Sequence, residues 1–187
     1  MKMLVPVNNY PDKYWLYYDH EKNLDALEFR QCREVVPSNH ELVLRLKAKV
    51  SVSAFIKYDY FLSDGPSLAS RRLAEIIKAS AFRDCIQFVP ATVVIDGQIY
   101  TDFFVINYLR SEKAFDMGKC VYAPLLKSMP DGPKKFDKIV LLDKTPVNPI
   151  FRAEESKGHI ILSNEAATFL AANKVIGLDF VDSKSGL

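Results

Sequence analysis

The sequence predicts an α+β fold: a largely antiparallel, twisted sheet with two short amphipathic helices. Three observations carry that reading. Residues 42–60 alternate, with Leu42, Leu44, Leu46, Ala48, Val50, Val52, Ala54, Ile56, Tyr58 and Tyr60 at every even position. Asp96-Gly97 stands between two β-prone runs, the pair that a two-residue hairpin turn demands. Ser70 and Ser163 each precede apolar residues at offsets of three, six and seven, which is one helical stripe behind a capping residue.

Each element follows in order. Asn8-Asn9-Tyr10-Pro11-Asp12 is turn chemistry, and Tyr14–Tyr18 is a β-prone aromatic run. Asp19–Arg33 reads equally as a short helix or an irregular excursion. The period of two over 42–60 predicts a half-buried strand or hairpin, bent near 48–53, whose wet face carries Arg45, Lys47, Lys49 and Lys57. Asp64-Gly65-Pro66 ends it, and Leu73, Ile76 and Ile77 define the helix after Ser70. Ile86–Pro90 with Thr92–Ile95 forms a strand, and Ile99–Leu109 returns from the hairpin turn. Pro124, Pro130, Asp131-Gly132 and Pro133 make 124–137 a surface loop. Short strands follow at 138–142 and 158–162, then the Ser163 helix with Ala166, Phe169 and Leu170 inward, then a last strand at 175–181.

The chain has 187 residues, 49% hydrophobic and 26% charged, enough to bury a core in one domain. No uncharged apolar stretch approaches the roughly 18 residues a membrane span needs, and the opening run is too short for a signal peptide. Lys and Arg number 25 against 23 acidic residues. Residues 1–65 hold nine of each sign, so no basic arm suggests a nucleic-acid partner. No acidic excess suggests a mimic of one. Cys32, Cys85 and Cys120 are an odd, widely spaced set, expected as free thiols in a reducing, cytoplasmic setting.

The sequence holds few motifs that carry chemistry. There is no GxGxxG and no P-loop, and no cofactor is implied. His20, His40 and His159 lie far apart without metal-ligand spacing, so no metal site is read. Cys85 and Cys120 fit packing positions, and Asp19, Asp59, Asp64, Asp84 and Asp116 fit turns and strand ends. Alternation over 14–18 puts Trp15 and Tyr17 on one face, and Tyr14, Leu16 and Tyr18 on the other. Large exposed aromatics anchor interfaces, yet they also fill ordinary strands. The Arg45, Lys47 and Lys49 stripe is either part of such an interface or a solvated face that blunts a sheet edge. Trp15, Tyr17, Tyr18, Arg45, Lys47 and Lys49 are therefore the candidate partner-binding residues.

From about Tyr58 onward the chain resembles the immunity-protein domains of bacterial polymorphic toxin systems, a group long classed as a domain of unknown function. The resemblance rests on Asp59-Tyr60-Phe61-Leu62, Ser70-Arg71-Arg72-Leu73-Ala74-Glu75-Ile76-Ile77, Ile86-Gln87-Phe88-Val89-Pro90, Phe104-Val105-Ile106-Asn107-Tyr108-Leu109, Phe115-Asp116, Lys138-Ile139-Val140-Leu141, Ile150-Phe151-Arg152, and Ile160-Ile161-Leu162-Ser163 through Gly177-Leu178-Asp179-Phe180. Together these cover about two thirds of the chain. The family pattern has a serine near the aspartate of its middle segment, whereas here Asp116 is followed by Met117-Gly118-Lys119-Cys120. The resemblance implies residues 58–187 as an immunity-like domain, with 1–57 a variable part packed on it. It also implies a cytoplasmic, non-catalytic protein that binds a cognate toxin and neutralises it by occlusion. Two other readings stand beside it. One is an enzyme or small-ligand protein with a site near the Ser70 helix N-terminus, using Ser70, Arg71, Arg72 and Asp116. The other is a homo-oligomer that pairs along the long strand.

Overall fold

The computed structural model describes residues 1–36 and 42–185, so His40 lies outside the described residues. In chain order the strands are β1 (Lys2–Pro6), β2 (Leu16–Tyr18), β3 (Leu42–Leu46), β4 (Tyr60–Phe61), β5 (Leu68–Ser70), β6 (Ile86–Ile95), β7 (Gln98–Tyr108), β8 (Ser111–Glu112), β9 (Val121–Pro124), β10 (Lys134–Val140), β11 (Ile150–Ala153), β12 (Ser156–Leu162), β13 (Leu178–Val181) and β14 (Ser183–Ser185). The helices are α1 (Val52–Phe55), α2 (Arg71–Lys78) and α3 (Asn164–Ala172). The fold is α+β, and antiparallel pairing dominates, with β3–β6 and β8–β11 the parallel contacts between strands.

The β6–β7 hairpin is the spine of a six-stranded sheet ordered β2-β3-β6-β7-β5-β4. Its turn residues Asp96 and Gly97 both have positive φ, +48° and +78°, the backbone that a tight hairpin needs to match strand twist. One face of this sheet carries Leu16, Leu44, Val93, Phe103 and Val105. Phe29 and Phe55, from the connections either side of β3, pack over it. The opposite face is covered at one end by α2, α3 and a five-stranded sheet ordered β13-β1-β12-β11-β8.

That second sheet is apolar on both faces. Leu4, Ile150, Ile160 and Leu162 face the first sheet, while Met3, Phe151 and Ile161 face a three-stranded sheet ordered β14-β10-β9. Strands buried on both sides read as unbroken apolar runs, with no alternation to mark them. This is why β1, paired to β12 and β13 inside the sheet, carries no strand signal in the sequence.

Both predicted helices form, each capped as its serine requires. Ser70 Oγ accepts the Leu73 amide at 3.1 Å, and Ser163 Oγ accepts the Ala166 amide at 3.1 Å. The long strand over 42–60 does not form. β3 ends at Leu46, and Ser51 opens the single turn α1, its carbonyl accepting the amides of Ala54 and Phe55. The turn exists for Phe55, which is fully buried against Tyr14, Phe61 and Phe103, while even-numbered Ile56 faces outward. The expected loop over 124–137 is also shorter than its prolines suggest. β9 and β10 pair through Lys134–Pro124, leaving 125–133 as the connection.

Candidate functional site

The Tyr14–Tyr18 run divides as its alternation demands. Tyr14, Leu16 and Tyr18 are 5%, 0% and 4% exposed, whereas Trp15 is 40% and Tyr17 36% exposed. β2 is held in place by its backbone: the Leu16 amide donates to Leu62 O at 3.0 Å, and the Tyr18 amide donates to Asp64 Oδ1 at 2.7 Å. Gly65 lets the chain cross the Tyr18 ring, since a Cβ there would stand 2.8 Å from its Cγ. Tyr18 is therefore an internal residue. Its hydroxyl donates to Leu24 O at 2.5 Å, and burial, with the Asp25 charge, pushes its pKa well above the ordinary phenol value. It does not share the surface of the other candidates.

Tyr17, Arg45 and Lys47 do come together, and Trp15 is exposed immediately before β2. Register pairs Tyr17 with Arg45, Arg45 with Val94, and Val94 with Ile99, so one outward row crosses four strands. Lys47 Nζ lies 3.6 Å from the Tyr17 ring centroid, a cation–π contact that fixes both side chains. Arg45 Nη2 lies 3.7 Å from Asp19 Oδ2. Ile99 is 68% exposed. Further along the same face, Phe88 and Phe104 lie under Lys78, whose Nζ is 5.8 Å and 5.1 Å from their ring centroids. Lys49 lies beyond the end of β3 and is exposed. The result is a sheet face, left open by α2, that mixes aromatic, aliphatic and cationic groups.

Of the alternative site's residues, Ser70, Arg71 and Arg72 line one cavity at the α2 N-terminus, while Asp116 lies elsewhere. Ser70 Oγ donates to Asp59 Oδ1 at 2.8 Å, and Arg72 Nη1 donates to Asp59 Oδ2 at 2.5 Å. Arg71 pairs with Asp102. The cations at the α2 N-terminus are thus neutralised by the chain's own carboxylates. Asp116 sits elsewhere, before β9, where the ammonium of Lys119 at 2.9 Å, together with backbone amides, lowers its pKa. Burial raises the Cys85 thiol, and Cys120 Sγ accepts the Val140 amide at 3.3 Å. Among the described residues no group of three or more His, Cys, Asp or Glu could hold a metal, and no helix is long and apolar enough to cross a membrane.

A second exposed apolar cluster was not singled out from the sequence. Val121, Tyr122, Leu125, Leu126 and Met129, on β9 and the loop after it, are each between 39% and 60% exposed. The available signal was a dense apolar run entering a proline-rich surface loop, since a surface loop has no core in which to hide such residues.

Compared with known proteins, the chain matches no family model and no curated protein.

Proposed function

We propose that the protein is a stoichiometric inhibitor that binds a cognate bacterial toxin domain and covers its active site with the outer face of β2, β3, β6 and β7. The observation that carries this reading is the exposed pair Trp15 and Tyr17 beside Lys47, with the Tyr17 ring held by a cation–π contact at 3.6 Å. Exposed aromatics next to arginine are the residue types that dominate binding energy at protein interfaces. Because Tyr17 is already fixed by Lys47 and by β-pairing, little rotamer freedom is lost on docking. The resemblance of residues 58 onward to immunity domains is what supports a toxin domain as the class of partner. A binder of this kind needs a complementary face of about 800 Å² and no catalytic group.

The test is capture of partners by the tagged protein from cells of its source, alongside the double variant Trp15→Ala/Tyr17→Ala. The reading expects one stoichiometric partner carrying a toxin domain, and loss of that partner from the variant. Equal capture by both proteins would move the interface elsewhere. Absence of any toxin domain would remove the class of function.

A further inference from the structure

Arg152 lies in β11, all four of whose residues are buried, and is itself 7% exposed. Its guanidinium has no carboxylate partner among the described residues. Nη1 donates to Lys157 O at 2.6 Å, and Nε has no hydrogen-bond partner at all. The Tyr108 ring lies 5.0 Å from Cζ, which offsets part of the cost of burying the charge. Arginine cannot escape that cost by losing its proton. Burial pushes the guanidinium pKa down, and the neighbouring Arg30 charge adds to the effect. Arg152 therefore lacks a direct ion-pair partner among the described residues, whereas buried charges in proteins are ordinarily paired.

The cavity at this point has a volume of about 320 Å³. Arg152, Tyr60, Tyr108 and Ser67 line it, together with the exposed residues Arg30 and His20. Tyr60 hydrogen-bonds Ser67 Oγ at 2.8 Å, and burial raises both phenols, so they remain neutral hydroxyls at physiological pH. Asp25 and Asp64 also border the space, so its lining carries both signs of charge, and each accepts a backbone amide on its own segment or a neighbouring one. Asp25 accepts the Leu27 amide at 2.9 Å, and Asp64 accepts the Tyr18 amide at 2.7 Å, with His20 Nε2 at 3.7 Å. The volume equals the share of about ten waters, more than a bare inorganic anion fills. Phe29 and Ile160 supply apolar wall for the remainder.

We infer that this cavity binds a small organic oxyanion, a carboxylate or a phosphate ester, with Arg152 as its fixed counter-charge and Arg30 as a second cation at the rim. The planar guanidinium presents donors in the fork that carboxylate and phosphate oxygens match. Ser67 Oγ accepts the Tyr60 proton and keeps its own hydroxyl proton to donate to such an oxygen without adding charge. The site is separate from the outer face of β2 and β3, and the inference does not depend on the proposed toxin partner.

Thermal unfolding of the full chain in inorganic phosphate, glycerol phosphate and acetate, each against chloride at equal ionic strength, tests it. A saturable rise in midpoint is expected, about 5–10 °C when the anion is at 100 times its Kd. The anion that acts at the lowest concentration identifies the headgroup. Arg152→Gln abolishes the effect. Because that change also alters a buried position, the exposed Arg30→Gln is the deciding variant, expected to fold as the parent does and to bind at least fivefold more weakly. Midpoints that match the chloride control in every anion overturn the inference, and so does binding unchanged in Arg30→Gln.

Discussion

Replacing Asp59 by alanine removes one carboxylate that ties three separate segments together. The residue is 3% exposed and accepts from Ser70 Oγ at 2.8 Å, Arg72 Nη1 at 2.5 Å and the Ile176 amide at 3.0 Å. These bonds join the residue before β4 to the cap of α2 and to the loop before β13. The Arg72 side chain is half exposed, so its loss of a partner is largely compensated by water. The Ser70 hydroxyl and the Ile176 amide each lose a charged acceptor, at about 1.5 kcal/mol or more apiece. The total is about 3 kcal/mol, which for a chain of this size lowers the midpoint by about 6–12 °C. Asp59→Asn keeps an acceptor for the Ile176 amide and falls between parent and alanine. Urea unfolding of Asp59→Ala, Asp59→Asn and the control Asp116→Ala reads this directly. The Asp116 side chain pairs with an exposed lysine and with local turn amides, so its loss leaves the urea midpoint close to that of the parent. A loss below 1 kcal/mol for Asp59→Ala would refute the three-way tie.

Three further outcomes follow from the packing. Phe55→Ala costs about 3–5 kcal/mol because it empties a fully buried aromatic site, whereas Ile56→Ala changes stability by about 0.5 kcal/mol or less; a continuous alternating strand would give the reverse order in the same urea melts. Gly177→Ala costs about 2 kcal/mol or more, since φ is +108° and the new Cβ would meet Tyr60 O at 2.5 Å; thermal melts that match those of Gly158→Ala, where nothing stands within 4 Å, would contradict this. Burial raises the Glu112 carboxyl, but Lys144 at 2.8 Å and the amides of Val147 and Asn148 at 3.1 Å hold its pKa below the ordinary carboxylate value. A lowered folded pKa gives stability that is complete above the unfolded value of about 4.3 and disappears as pH falls through it toward the folded value. The stability gap between parent and Glu112→Gln therefore narrows from pH 7 toward pH 3, and a gap independent of pH would count against the arrangement.

What the sequence reveals of this fold follows from where each strand lies. The β6–β7 hairpin and the serine-capped helices α2 and α3 are legible because their signals are local: a turn pair with the right backbone, and a cap followed by a stripe. The Tyr14–Tyr18 run is legible for the same reason, since one face of β2 is wet. β1 is hidden because both of its faces pack on apolar neighbours, so Met3 and Leu4 serve different cores and no alternation survives. Residues 42–56 mislead in the opposite sense. Even positions stay inward past the end of β3, and only the demand of Phe55 for an aromatic pocket reverses the phase. The outer face of the six-stranded sheet was half legible: the aromatic and basic residues were visible, but their meeting with Val94 and Ile99 depends on the parallel register of β3 and β6. The uncompensated Arg152 could not be found by pattern at all. Its isolation depends on which carboxylates the fold fails to bring near it.

In the proposed function the β2–β3 face is where another protein binds. Co-expression with the product of the neighbouring gene, followed by size-exclusion chromatography with light scattering, measures this most directly. A one-to-one complex is expected for the parent and separate peaks for Trp15→Ala/Tyr17→Ala, with both versions equally folded. An affinity loss of at least about a hundredfold is expected, from two anchors each contributing about 2 kcal/mol. A complex of the same stoichiometry and affinity in both versions, or no complex with the parent, would contradict it.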